Sequence, residues 1–321
     1  MRFAAGSWIY GTLGDRYLLE GYRQGLDILV SVRMIADIDG LSGVELLYPN
    51  DFIHGLDQLG DAIADEGLDC CAVGADLAGD PKWRLGSFSS ADPAVRREAV
   101  ELAKEAVDAA AALGADCVNI WPGQDGHDYP FQIDYKASMG RFVEALAEVA
   151  AYRPEMKICL EYKPFEPRLR SLVATAASAL LVCGEVGLPN LGVTIDSGHA
   201  LQAGENISES ISTLARARRL FHLHLNDNHR GFDADMALGS VHTVEFLEMV
   251  YTLRRVGYEG WLTFDVFPYR EDPSLVVGES VRFIKGLDSL LDRIGMETIE
   301  DAIEGADHLR ALSLIRECML G

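Results

Sequence analysis

The sequence predicts an α/β protein built as a single (β/α)8 barrel, the TIM-barrel architecture, with an extra C-terminal helix. Three observations lead there. Short apolar runs of strand length alternate about eight times with helix-period stretches over 321 residues, a length suited to one such barrel. No linker rich in Pro, Gly or Ser divides the chain, and no low-complexity tract interrupts it. The first apolar run is not followed by the glycine-rich phosphate loop of an open doubly wound sheet; Gly11-Thr12-Leu13-Gly14 is too weak to serve as one.

In chain order, strands are expected at 3–10, 44–48, 68–74, 117–121, 158–162, 192–195, 221–225 and 261–266. Each is a short apolar run that a parallel sheet can bury on both faces. Between them, 94–113 is the clearest helix: it opens after Asp92-Pro93, a cap followed by proline in the first turn, and stops at Gly114. Helix periodicity also marks 142–152, 173–186, 244–256 and 274–291. The tail from Met296 to Leu320 reads as the extra helix, giving a catalytic barrel over 1–295 and a helical extension over 296–321.

Composition narrows the function classes. Hydrophobic content of 49% supplies a continuous core. A net charge of −22 speaks against nucleic acid, whose binding rests on neutralising phosphates. Neutral small molecules and cations suit that charge better. Apolar runs fall far short of the ~20 residues of a membrane span, and the opening MRFAAGSWIYG runs straight into a strand rather than a secretory leader. Six cysteines with no CxxC pattern fit a reduced, cytoplasmic protein with buried thiols.

Strand parity locates the chemistry. Alternate barrel residues point inward, and active sites form at the C-terminal strand ends. By that parity Cys159, Glu161 and Lys163 share a face on the fifth strand, and Thr194 and Asp196 on the sixth. His222 and His224 share one on the seventh, and Thr263, Asp265 and Phe267 on the eighth. One buried Asp or His is ordinarily a hydrogen-bonded structural group; ionisable groups on consecutive strand ends indicate a site.

Glu161, Asp196, His224 and Asp265 would form a shell of carboxylates and one imidazole, suited to Mn²⁺ or Mg²⁺ and sometimes Co²⁺. His199, just past the sixth strand, could hold a second metal with Asp233 and Asp235, which otherwise read as a solvated acidic loop. His222 either orients a ligand or packs in the core. Lys163 either polarises a substrate oxygen or pairs with Glu166 or Asp196. Trp8, Trp121 and Phe267 are aromatic candidates for the C–H face of a sugar, alongside His199 and Lys163 as polar substrate contacts. His229, His242 and His308 read as surface or structural.

The chain resembles the xylose-isomerase-like barrels of sugar isomerases and epimerases, and within them L-rhamnose isomerase. The resemblance rests on Glu161-Tyr162-Lys163-Pro164-Phe165-Glu166-Pro167, on Asp196-Ser197-Gly198-His199, and on His224-Leu225-Asn226-Asp227 followed by Asp233-Ala234-Asp235 and Gly239-Ser240. Thr263-Phe264-Asp265 and the segment from Trp121 to Gly126 add to it. The resemblance implies a structural metal on Glu161, Asp196, His224 and Asp265, a catalytic metal on His199, Asp233 and Asp235, and a Lys163 contact near C1–C2. It also implies a homo-oligomer, a dimer or tetramer.

The expected activity is aldose–ketose isomerisation of a small unphosphorylated sugar, with metals as Lewis acids. Two metals imply a hydride shift, with Asp235 or a metal-bound hydroxide taking the O2 proton. One metal implies proton transfer by Glu161 and Asp265. The alternative is a ketose 3-epimerase or a related sugar-acid or cyclitol isomerase. An apurinic endonuclease would need a basic DNA-facing surface, and a purely structural metal barrel would show no turnover.

Overall fold

The computed structural model describes residues 1–320. Eight parallel strands close into a barrel: β1 (Arg2–Gly6), β2 (Gly43–Tyr48), β3 (Asp69–Ala75), β4 (Cys117–Ile120), β5 (Lys157–Glu161), β6 (Leu191–Asp196), β7 (Leu220–Leu225) and β8 (Trp261–Phe264). Each strand pairs with the next in sequence. Register Arg2–Trp261 to Ala5–Phe264 seals β1 against β8.

Helices cover the outside in sequence order: α1 (Ile28–Ala36), α2 (Leu56–Asp65), α3 (Pro93–Leu113), α4 (Tyr135–Tyr152), α5 (Ala176–Val186), α6 (Ser197–Gln202), α7 (Ile207–Arg216), α8 (Thr243–Val256) and α9 (Pro273–Ile294). The predicted cap is present on α3: the Asp92 side chain accepts from the Ala94 N–H, and Gly114 closes the helix at φ 68°. Sequence reading had not singled out α1, α2, α6 or α7.

Three boundaries differ from expectation for local reasons. β1 stops at Gly6, and Ser7–Tyr10 is a 3-10 turn, not strand. There the Trp8 indole folds back over the chain, and a Cβ at Gly6 would lie 2.2 Å from its ring. β8 stops at Phe264, which leaves Asp265 as the first residue past the strand. The C-terminal extension is two helices, α10 (Met296–Glu304) and α11 (His308–Leu320), both packed on α9. Ala306 takes φ 51°, a conformation that ends a helix, and Asp307 caps the next by accepting from the Arg310 N–H at 3.0 Å.

A small apolar cluster of Ala4, Cys71, Ala72, Cys117, Cys159 and Trp261 forms the floor of the barrel. Among the described residues no helix is long and apolar enough to cross a membrane.

Candidate metal centre

Four neighbouring strand ends build the centre. Glu161 ends β5, Asp196 ends β6, His224 is the penultimate residue of β7, and Asp265 follows β8. One ligand atom from each lies within 4.8 Å of the others. Asp196, His199 and Asp233 form a second such group, so Asp196 belongs to both. Asp235 had been expected to complete the second group; it lines the same pocket, but Asp196 takes that place. Asp235 sits at φ 44°, a strained conformation of the kind that collects at functional sites.

The donor set fits a divalent cation. His224 Nδ1 is buried with no hydrogen-bond partner, yet lies 3.3 Å from Asp265 Oδ2 and 3.5 Å from Glu161 Oε1. Oxygen-rich ligands with one imidazole suit Mn²⁺, Mg²⁺ or Co²⁺. In the bare protein, protons balance the cluster. Burial opposes a charged His199, but Asp196 and Asp233 outweigh it and raise its pKa to about 9. Burial opposes a charged His224 too, and Glu45 and Glu161 hold it protonated well above its ordinary range. Burial, resisted by His199 and reinforced by Asp233, Asp265 and Glu161, pushes Asp196 up to about 7.

Each candidate ligand is held from behind. Asn119 Nδ2 donates to Glu161 Oε2 at 2.6 Å and is itself fixed by Thr194 Oγ1. Asn226 Nδ2 donates to both Asp196 oxygens, at 3.1 and 2.9 Å. Trp8 Nε1 donates to Asp265 Oδ1 at 2.6 Å, so this tryptophan positions a carboxylate as well as walling the pocket. His199 Nδ1 lies 2.9 Å from the Tyr162 carbonyl, which leaves Nε2 3.0 Å from Asp233 Oδ2. Such outer partners orient ligands and tune their basicity.

The loop carrying Asp233 and Asp235 is closed by one carboxylate. Asp227 Oδ1 accepts from the Asn228 N–H and from His242 Nδ1, and its Oδ2 from the Val241 and His242 N–H groups. His242 is therefore structural, as expected. Asn228 Nδ2 ties Gly198 O to Asp233 Oδ1, at 3.0 and 3.1 Å.

Lys163 is buried and pairs with Glu166, one of its two expected partners, and with Asp233 Oδ2 at 2.9 Å; Asp196 is not a partner. Burial opposes its charge, but Asp233, Glu166 and Asp235 outweigh that and keep it protonated well above the usual lysine range. Its Nζ lies 5.2 Å from the Trp121 ring centroid. Trp8, Trp121, Phe267, Lys163 and His199 all line one cavity of about 410 Å³, with Phe232 and Tyr269 at its walls.

Sequence reading missed Glu45. It is a fully buried carboxylate on β2, and its Oε2 lies 2.9 Å from His222 Nε2 and 3.0 Å from His224 Nε2. His222 is buried and hydrogen-bonded to Glu45. The available signal was a lone acid in the apolar run Gly43–Tyr48.

Comparison with known proteins agrees with this architecture. The family described as xylose isomerase-like TIM barrel matches residues 32–287. A xylose isomerase of Thermus thermophilus is 31% identical over 287 residues, covering 84% of this chain and 74% of that protein. One of Thermus caldophilus is 29% identical over the same shares. An L-ribulose 3-epimerase structure superposes with a TM-score of 0.71 at 20% identity, covering 92% of this chain and 98% of that one. A D-psicose 3-epimerase from Clostridium cellulolyticum H10 gives 0.70 at 18% identity, over 89% and 99%. At those identities the structural matches speak for the fold. The family match and the 31% identical xylose isomerase show that this chain belongs to the xylose isomerase-like TIM-barrel family.

Proposed function

We propose that the protein is an aldose–ketose isomerase acting on a small unphosphorylated sugar, with Mn²⁺ as the preferred cation and Mg²⁺ or Co²⁺ as substitutes. The observation that supports it most is the pair of fused ligand groups sharing Asp196, beside a fixed lysine in an aromatic-walled pocket. Glu161, Asp196, His224 and Asp265 would hold one ion, and Asp196, His199 and Asp233 the other. Bound there, divalent cations supply Lewis-acid polarisation of substrate oxygens.

The chain's own residues do the rest. Lys163, held by Asp233 and Glu166, presents a permanent positive charge and N–H donors to a sugar oxygen. Burial, reinforced by Asp233 and Asp265, holds the Asp235 carboxyl protonated in the bare protein; cations neutralising those acidic neighbours would free its carboxylate to take the O2 proton of the open-chain sugar. Trp8, Trp121 and Phe267 offer apolar faces to the C–H surface and keep bulk water from the reacting carbons. At about 410 Å³ the cavity lies near the small end of the ~300–1,000 Å³ spanned by ligand pockets. Free thiols at all six cysteines support the cytoplasmic part of the reading.

The test is a panel of free pentoses and hexoses incubated with Mn²⁺-loaded protein in D₂O and read by NMR after metal removal. Aldose–ketose interconversion with little deuterium at C1 or C2 is expected. Inversion at C3 with deuterium uptake there would replace this reading with that of a ketose 3-epimerase.

A further inference from the structure

Glu45, His222 and His224 bring one ligand atom each within 4.8 Å of the others, beneath the centre described above. The hydrogen bonds argue against a third cation there. Both imidazoles direct Nε2 at the same Glu45 oxygen, at 2.9 and 3.0 Å. A nitrogen that donates a proton has no lone pair left for a metal. The group is therefore a hydrogen-bonded relay rather than a ligand shell.

We infer that Glu45 is a positioning residue: it fixes His224 in the Nε2–H tautomer and so aims the Nδ1 lone pair at the cation site. This rests on the metal-centre reading above. Its evidence is geometric. His224 Nε2 faces Glu45, while Nδ1 faces Asp265 and Glu161 and has no hydrogen-bond partner of its own. A carboxylate behind a metal-bound imidazole sets its tautomer, its ring angle and its basicity. Every other ligand of the centre has an outer partner, in Asn119, Asn226, Trp8, Asn228 or the Tyr162 carbonyl.

His222 has its own part. It donates to the same Glu45 oxygen from the floor side, and Thr263 Oγ1 lies 3.3 Å from its Nε2. Thr263 in turn reaches Cys71 Sγ at 3.6 Å. Glu45 is thus gripped from below and left with a fixed oxygen to offer His224. A carboxylate in this position is costly to bury unless it is paired. Two imidazole donors on one oxygen provide that pairing.

The experiment compares wild type with Glu45→Gln, using Mn²⁺ and Co²⁺ alone as probes. Wild type should bind two ions. In the variant the ion on Glu161, Asp196, His224 and Asp265 should bind about 10–100-fold more weakly, and its Co²⁺ absorption bands should shift. The ion on His199 and Asp233 should keep its affinity. Unchanged affinity and spectrum in E45Q would overturn the positioning role and leave the metal centre standing. A wild type that binds no divalent cation would overturn both. A second measurement needs no variant: ¹⁵N-histidine NMR of wild-type protein loaded with diamagnetic Zn²⁺. It should show His224 Nε2 carrying a slowly exchanging proton and Nδ1 without one; a proton on Nδ1 would overturn the inference.

Discussion

Replacing Lys163 with methionine should destabilise the metal-free protein far more than the loaded one. Lys163 Nζ and Asp233 Oδ2 are 2.9 Å apart, with side chains 8% and 2% exposed. At that distance and an effective dielectric near 20, their attraction is about 6 kcal/mol. Desolvation of both groups offsets much of it, and removing one partner of a buried pair ordinarily costs about 3–5 kcal/mol. Asp233 keeps His199 Nε2 at 3.0 Å and Asn228 Nδ2 at 3.1 Å, which places the expected loss near the lower bound. A cation on Asp233 takes over the neutralisation, so the loss in the Mn²⁺-loaded protein should shrink to about 1 kcal/mol, what remains being the lost donors rather than an unpaired charge. The assay is urea unfolding of wild type and K163M, each in EDTA and in excess Mn²⁺. If K163M matches wild type in EDTA, Lys163 is not the counter-charge of Asp233. If the loss is equal in both conditions, no cation reaches Asp233.

Three further predictions follow from the same geometry. Gly198→Ala should cost about 1–3 kcal/mol by overpacking and weaken metal binding, because its Cβ would lie 1.9 Å from Asn226 Oδ1 and 2.7 Å from Asp233 Oδ1; calorimetric titration with Mn²⁺ checks it, and wild-type affinity would refute it. In metal-free protein, His199 with a pKa raised to about 9 contributes stability that is complete below its ordinary 6.5 and lost as pH rises through 9. Metal affinity should run the other way and rise with pH over that window, because binding must displace the imidazole proton; thermal unfolding and metal titration between pH 6 and 9 (about the span of those two values) would show opposite slopes. Trp121→Ala should raise KM for the sugar severalfold with a smaller change in metal affinity, because Trp121 walls the cavity and is absent from both ligand groups; steady-state kinetics paired with metal titration separate the two effects.

Strand-end chemistry was legible because charge in an apolar run is conspicuous. Glu161, Asp196, His224 and Asp265 each interrupt aliphatic sequence at a fixed parity, and the barrel's geometry converts parity into convergence. Glu45 obeys the same rule on β2, yet it lies within the strand, three residues short of its Tyr48 end, rather than at the strand end where chemistry is expected. Asn119 and Asn226 were invisible for a different reason: neutral amides carry no charge signal, and only the folded distances reveal that each holds a carboxylate. The boundary errors came from conformation rather than pattern. The run 3–10 is apolar but for Ser7, and nothing in its periodicity says that the Trp8 ring must fold over Gly6. Asp196 belongs to both ligand groups because β6 passes directly into α6, with the Asp196 side chain accepting from the His199 N–H at 2.8 Å. That strand-to-helix corner is a three-dimensional fact, and spacing alone offered Asp235 instead.

The closure of β1 onto β8 has a consequence for biosynthesis. Trp8, just past the first barrel strand, donates to Asp265, just past the last. A nascent chain that has emerged only through the loop after β7 therefore holds Glu161, Asp196, His199, His224 and Asp233, but lacks both Asp265 and the strand that seals the ring. Up to that moment its most highly charged interior surface faces an open edge. Completion of the centre is thus tied to the final strand, and a chain truncated before β8 should be recognised in the cell as an unfinished, acidic, aggregation-exposed half-shell rather than as a weakened enzyme.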